Sequence, residues 1–314
     1  MQYYLKYMND IELKTIARDG KARLNEVTLN NKQFQTPLFM PVATRGALKS
    51  LPFNYLDDTD IILANTYHLY LRPGLEVIKE FGGLHNFIGW NKVILTDSGG
   101  FQGWSIPNKF NDDGIEFKNI YDGSKFFMDP TLSMDIQQTL NSDIAMILDS
   151  LIDINKEYDE QLNAIQTTKN WALKAREHHS NSNQSLFGIV QGGKHKELRE
   201  KSATDMLSLD FNGYAIGGLA IGETQQERKE IVDFTVEMLP QDKLRYVMGL
   251  GDIEGMLDLI ELGIDIFDCV WPARLARHGK IINRGKFFIL KNSKYKKDTD
   301  PLVIGCKCFV CSNF

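Results

Sequence analysis

Val93-Ile94-Leu95-Thr96-Asp97-Ser98-Gly99-Gly100-Phe101-Gln102 is the stretch from which the rest of the chain is best read. An apolar run of strand character drives directly into a carboxylate, a hydroxyl, two glycines and an aromatic ring. Burial disfavours the charged form of a carboxylate, so an acid at the mouth of a buried strand is costly unless it is used. The glycines let the backbone turn sharply and let a ligand approach it closely. Asp97 is therefore expected to face a ligand, with Phe101 lying against it.

Around this stretch, apolar runs recur with helix-length segments between them: Pro37–Thr44, Ile61–Leu69, Lys92–Gly99, Ile144–Ser150, Ser185–Gly193, Gly213–Leu219, Arg245–Gly251 and Ile264–Val270. Eight such strands fit an α/β fold of the (β/α)8 TIM-barrel type. Glu157–His178 and Glu223–Leu239 carry apolar stripes among charges and are expected to be helices. Residues 1–36 alternate β-like runs with Asp19-Gly20 and Asn30-Asn31 turn signals, which predicts an antiparallel sheet packed on the barrel at residues 37–278. Turn-rich residues 107–127 break the rhythm and are expected to form an inserted hairpin over the barrel mouth.

With 314 residues, 43% hydrophobic and 25% charged, the composition is that of a globular enzyme. No run of eighteen apolar residues occurs and the first residues lack the shape of a signal peptide, so a cytoplasmic protein is expected. Cys306, Cys308 and Cys311 are spaced for a metal rather than for disulfides. The net charge of −5 hides an asymmetry, because Trp271–Phe314 holds ten Lys/Arg against only Asp298 and Asp300. A solvated tail would explain the charge alone. The interleaved Phe287, Phe288 and Tyr295 favour a polyanion-binding surface on this basic arm.

In a TIM barrel, ligand chemistry belongs at the C-terminal ends of the strands. Asp97, Asp149 and Asp268 fall there, with Gln191 and the glycines at 192, 193, 217, 218 and 249. Any one aspartate alone would more often be a helix cap or a solvated acid, but three at matching strand ends favour a site. Such a lining suits guanine. A carboxylate accepts from its adjacent N–H and amino donors, and a glutamine amide or a glycine N–H donates to its carbonyl. Phe101 and Met248 could sandwich the ring, and a further aspartate at the sugar carbon could act as a nucleophile.

Several motifs then point to one family: Asn65-Thr66-Tyr67-His68-Leu69, Thr96 through Gln102, Ser142-Asp143-Ile144, Gly188 through Gly193, Gly213 through Leu219, and Phe267-Asp268-Cys269-Val270-Trp271-Pro272-Ala273-Arg274. Over residues 10–311 the chain resembles the bacterial type of the tRNA-guanine transglycosylases. The resemblance implies exchange of the wobble guanine (position 34) of tRNA for a 7-deazaguanine, through a covalent aspartyl-ribose intermediate, as a step of queuosine biosynthesis. It implies Asp268 as nucleophile and Asp97 as general acid/base. Ser98, Phe101, Asp149, Gln191, Gly218, Leu219 and Met248 become the base-binding set, and Arg274 and Arg277 contact tRNA.

Leu219, Ile221 and Glu223 favour the bacterial base, 7-aminomethyl-7-deazaguanine. Ser150-Leu151 depart from the bacterial Glu-Cys, and Leu151 resembles the eukaryotic class that uses queuine. Cys306, Cys308 and Cys311 match three ligands of the family's structural zinc. The given sequence ends at Phe314, before the family's fourth ligand, a histidine, and before the helical segment that contributes to its homodimer. The resemblance thus implies that residues 279–314 form a basic, partial zinc-binding subdomain, with the zinc site incomplete and the possible homodimer weakened. The alternatives are a non-catalytic RNA-binding relative, or a transglycosylase that uses queuine or acts on another polynucleotide.

Overall fold

A computed structural model describes residues 11–105, 108–283 and 286–313. The first ten residues of the expected N-terminal sheet, and Pro107 at the start of the expected insertion, lie outside these. The chain opens with three antiparallel strands, β1 (Glu12–Asp19), β2 (Ala22–Leu29) and β3 (Lys32–Thr36). Next come β4 (Leu38–Ala43), β5 (Ile61–Ala64) and β6 (Val93–Thr96), then an insertion of β7 (Asn108–Asn111), β8 (Gly114–Lys118) and β9 (Lys125–Met128). The series β10 (Ile144–Met146), β11 (Ser185–Val190), β12 (Gly213–Ile216), β13 (Leu244–Val247) and β14 (Ile266–Cys269) follows. Strands β4, β5, β6 and β10 to β14 form a closed parallel barrel, sealed where Ile266 and Asp268 of β14 pair with Leu38 and Met40 of β4. This is the expected TIM-barrel architecture.

The helices are α1 (Thr66–Leu71), α2 (Leu75–Glu80), α3 (Leu84–Ile88), α4 (Gly100–Ser105), α5 (Pro130–Leu140), α6 (Tyr158–His178), α7 (Lys196–Leu207), α8 (Gln225–Val236), α9 (Ile253–Ile260), α10 (Trp271–Arg277) and α11 (Phe309–Asn313). Between the last two lies a ribbon of β15 (Lys280–Asn283) and β16 (Lys286–Ile289). Local chemistry starts several helices. Asp129 caps α5, with Pro130 pre-set for the first helical turn. Thr224 and Glu227 form a reciprocal capping box on α8, and Asp252 caps α9.

Barrel strands β5, β6, β10, β11, β12 and β13 are buried at every position, as parallel strands covered on both faces must be. The strands are shorter than the apolar runs that predict them. The run from Ile61 to Leu69 stops as strand at Ala64, because Asn65 caps α1 by accepting from the His68 N–H at 2.9 Å. The leftover residues of each run form the loops of the mouth.

The insertion is a three-stranded sheet, β7-β8-β9, rather than a hairpin. Lys125-Phe126-Phe127-Met128 supplies the extra strand, and its Phe126 stacks on Phe117 of β8 at 5.4 Å and on Tyr67 of α1 at 5.9 Å. That aromatic packing gives the third strand a buried face, which turn signals alone do not reveal.

The N-terminal sheet is pinned to the floor of the barrel, the end where the strands begin. Arg23 grips Asp265, just before β14, with Nε and Nη2 at 2.9 and 2.5 Å, and donates to the Gln241 and Lys243 carbonyls. Asp143, just before β10, accepts from Lys32 at 2.7 and 2.8 Å and from Asn30 at 3.0 Å.

Candidate active site

At the opposite end, a cavity of about 450 Å3 opens among the C-terminal ends of the strands. Asp97, Asp149 and Asp268 all line it, as do Ser98, Phe101, Gly218, Leu219 and Met248. Of the sequence-predicted base-binding residues, Gln191 stands behind the wall. It is buried, and its Nε2 donates to Asp149 Oδ2 at 2.6 Å.

Each aspartate is held differently. Asp97 follows β6 and accepts from Asn65 Nδ2 on one oxygen and from the Thr66 N–H, at 2.8 Å, on the other. Asn65 thus has two duties, capping α1 and fixing Asp97. The Thr66 hydroxyl also donates to the Asp97 carbonyl, tying the two loops together. Burial is the main force that pushes the Asp97 carboxyl up to about 7. The charge of Asp268 adds to it, and the Thr66, Gly99 and Asn65 donors oppose it. A group near 7 can both take and give a proton at neutral pH.

Asp149 is pushed up to about 6 by burial, with the Gln191 amide pulling the other way. Gly100 makes room for it: a Cβ there would fall 2.7 Å from Asp149 Oδ1. Asp268 accepts from the Tyr246 hydroxyl at 2.5 Å and from the Gly249 N–H at 2.8 Å. Both bonds end on Oδ1, so Oδ2 has no hydrogen-bond donor among the described residues. Burial raises the Asp268 carboxyl, and those two donors favour its ionised form. The arrangement anchors one oxygen and leaves the other open to a ligand.

Tyr246 is absent from the sequence-predicted set, although it is fully buried and lines the cavity. The signal was one of register. Tyr246 lies opposite Ile266 in the β13–β14 ladder, so its side chain is on the face that Asp268 reaches two residues later. Burial beside the Asp268 charge drives its phenol well above the ordinary range, which keeps it a hydrogen-bond donor.

Phe101, on α4, is half exposed at the cavity edge, and Met248 follows β13, two elements that do not adjoin in sequence. The Ser98 hydroxyl accepts from the Gly100 N–H at 3.2 Å and so stabilises the turn beside Asp97. Arg274 and Arg277 lie outside the cavity, exposed on α10, which begins just beyond Asp268 and β14. Nearby, Trp271 packs edge-on against Phe287, and Lys280 sits 4.1 Å over the Phe287 ring.

Away from the cavity, the Cys306, Cys308 and Cys311 sulfurs lie within 4.8 Å of one another and could hold a metal ion. Three clustered thiols suit a soft or borderline cation such as zinc. Among the described residues no fourth histidine, cysteine or carboxylate joins the cluster. No helix among the described residues is long and apolar enough to cross a membrane.

Comparison with known proteins adds to this geometry. A profile of the family described as queuine tRNA-ribosyltransferase matches residues 19–314. A queuine tRNA-ribosyltransferase of Acinetobacter baylyi is 42% identical over 100% of this chain and 83% of its own length. One from Acinetobacter baumannii is 43% identical over 97% of the chain and 82% of its own length. One from Bacillus licheniformis is 44% identical over 93% and 78%. With a match that spans nearly the whole chain and carries the aspartate-lined mouth within it, the chain belongs to the queuine tRNA-ribosyltransferase family.

Proposed function

We propose that this chain is a tRNA-guanine transglycosylase that exchanges the wobble guanine of tRNA for 7-aminomethyl-7-deazaguanine. The observation that carries this reading is the convergence of Asp97, Asp149 and Asp268 on one base-sized cavity. The target nucleotide leaves its stack to enter it. Asp268 Oδ2 attacks the ribose anomeric carbon, the bond to guanine N9 breaks, and the departing base takes a proton from Asp97. The result is a covalent aspartyl-ribose ester. The incoming base then loses its N9 proton to Asp97, and its N9 attacks the same carbon and displaces the Asp268 carboxylate. One glycosidic bond replaces another, so no energy source is required.

Within this reading Asp149 accepts from the N–H and amino donors of the base, and Gln191 holds Asp149 in place. Phe101 and Met248 cover the two faces of the ring, and Arg274 and Arg277 meet the tRNA backbone. Cys306, Cys308 and Cys311 would hold a structural zinc, and a homodimer belongs to the same reading.

The aminomethyl base is favoured by the loop after β12. Glu223 Oε1 and Oε2 accept from the Ala220 and Ile221 N–H groups at 2.6 and 3.2 Å. In a trans peptide the carbonyl opposes the N–H, so the Leu219 carbonyl is turned away from Glu223, and Leu219 lines the cavity. An ammonium group would find an acceptor there. Leu151 and Ile221 also line the cavity and narrow the space left for a bulkier substituent.

The test is incorporation of labelled guanine into unmodified tRNA. Exchange by the parent chain, abolished in Asp268→Asn, supports the reading. A folded parent chain that exchanges nothing overturns it and favours a binding-only relative. Competition between the aminomethyl base and queuine then decides the base.

A further inference from the structure

Arg199, on α7, is among the largest fully buried side chains, yet no step of the exchange uses it. Its guanidinium donates to three backbone carbonyls: Nε to Gly193 at 3.0 Å, and Nη1 to Val190 at 3.1 Å and Gly217 at 2.9 Å. Val190 ends β11, and Gly193 and Gly217 belong to the loops after β11 and β12, which carry Gln191 and Gly218. Burying a guanidinium is expensive, and here burial pulls it down to about 10 with Glu223 the charge that opposes this.

The consequence lies in one peptide plane. The Gly217 carbonyl is turned towards Arg199, which does not line the cavity, whereas Gly217 and Gly218 do. Because the peptide is planar and trans, the Gly218 N–H points the opposite way, away from Arg199. That N–H has no acceptor among the described residues. The plane has little other support. Gly218 sits at φ +69°, and a Cβ there would come 2.5 Å from Gln191 Oε1, so the position is open to glycine alone. Two residues on, Glu223 turns the Leu219–Ala220 peptide in the opposite sense. Two buried charges thus present a donor and an acceptor side by side.

We infer that Arg199 is a positioning residue that fixes the Gly217–Gly218 peptide so that the Gly218 N–H donates to the carbonyl oxygen of the bound purine. This rests on the proposed guanine-exchange function.

The experiment compares binding of guanine and 6-thioguanine to the parent chain, Arg199→Lys and Arg199→Met. The thio compound keeps both donors that face Asp149 but offers a poor acceptor in place of the carbonyl oxygen. The parent chain is expected to prefer guanine by about tenfold or more, the worth of a well-placed buried hydrogen bond. The preference should fall to within about threefold in Arg199→Met and be partly restored in Arg199→Lys. A merely structural role would weaken both ligands equally and leave their ratio unchanged, and that result overturns the assignment. Should the variants not fold, the parent chain still decides. Its 15N-labelled Gly218 amide must shift when guanine binds and shift less with 6-thioguanine; an unmoved amide overturns the inference. A parent chain that binds neither base sinks the guanine reading itself, a distinct failure.

Discussion

The two ends of the barrel treat their aspartates in opposite ways. At the floor, Asp265 meets Arg23, Asn25 and the Arg245 N–H, and Asp143 meets Lys32, His85, Asn30 and the Ile94 N–H. At the mouth, Asp97, Asp149 and Asp268 have neutral donors and no cation within salt-bridge distance among the described residues. Floor carboxylates are saturated and join the N-terminal sheet to the barrel. Mouth carboxylates are kept short of partners, which leaves them able to move a proton or attack a carbon. Stability and reactivity are separated by about the length of one strand.

The comparison predicts a crossed pair of mutational effects. Asp268→Asn should cost at least about 10^3-fold in exchange rate while leaving the urea midpoint unchanged or higher, since mouth residues are not chosen for stability. Asp265→Ala should cost about 3–5 kcal/mol of stability by stranding the buried Arg23 guanidinium. Equal loss of stability in both variants would mean that the two ends do not divide these duties. This expectation does not make the Asp265–Arg23 pair favourable against an apolar replacement; burial raises the Asp265 carboxyl even with Arg23 pulling it down.

The two ends should also titrate in opposite directions. Asp97, at about 7 when folded against an ordinary 3.8, keeps its proton where the unfolded chain has lost it. Its contribution to stability is therefore present below about pH 4 and is lost as pH rises towards about 7. Asp149, at about 6, acts in the same direction. Asp143 is the reverse. Burial pushes it up, but the His85, Lys32 and Asn30 hydrogen bonds and the Lys32 charge together bring it to about 2, so its contribution is complete above about pH 4 and is lost as pH falls through about 2. Urea midpoints measured from acid to neutral pH should show Asp97→Asn flattening the decline above pH 4 and Asp143→Asn weakening the dependence below it. The idea fails if both variants alter the same limb.

The smallest effect is expected beyond both ends. Cys306 and Cys308 are exposed, and Phe309 beside them meets the barrel-side Tyr55 at 4.8 Å. Any zinc that the three thiols hold should be lost in Cys308→Ser on metal analysis, with the unfolding free energy of the barrel changed by less than about 1 kcal/mol. A larger shift would mean that the cysteine segment supports the barrel.

Much of this was legible in the residues. Eight apolar runs with helical intervals specify the barrel, because a parallel strand buried on both faces has to be apolar throughout. Asp97, Asp149 and Asp268 stood out because each ends such a run. Loops, by contrast, borrow apolar residues for local packing, and so the run from Ile61 overshot its strand and the insertion's third strand went unseen. Tyr246 and Arg199 were invisible for another reason. Each acts on a residue far along the chain, Tyr246 on Asp268 and Arg199 on Gly217, and no local pattern encodes such a contact. Periodicity and motif alone are enough for the fold class, the family and the carboxylates that end the strands. Which oxygen of Asp268 is anchored, which carbonyls hold Arg199 and which aspartates are left without a cation emerge only from the folded chain. Those depend on where a closed barrel brings distant side chains to hydrogen-bonding distance.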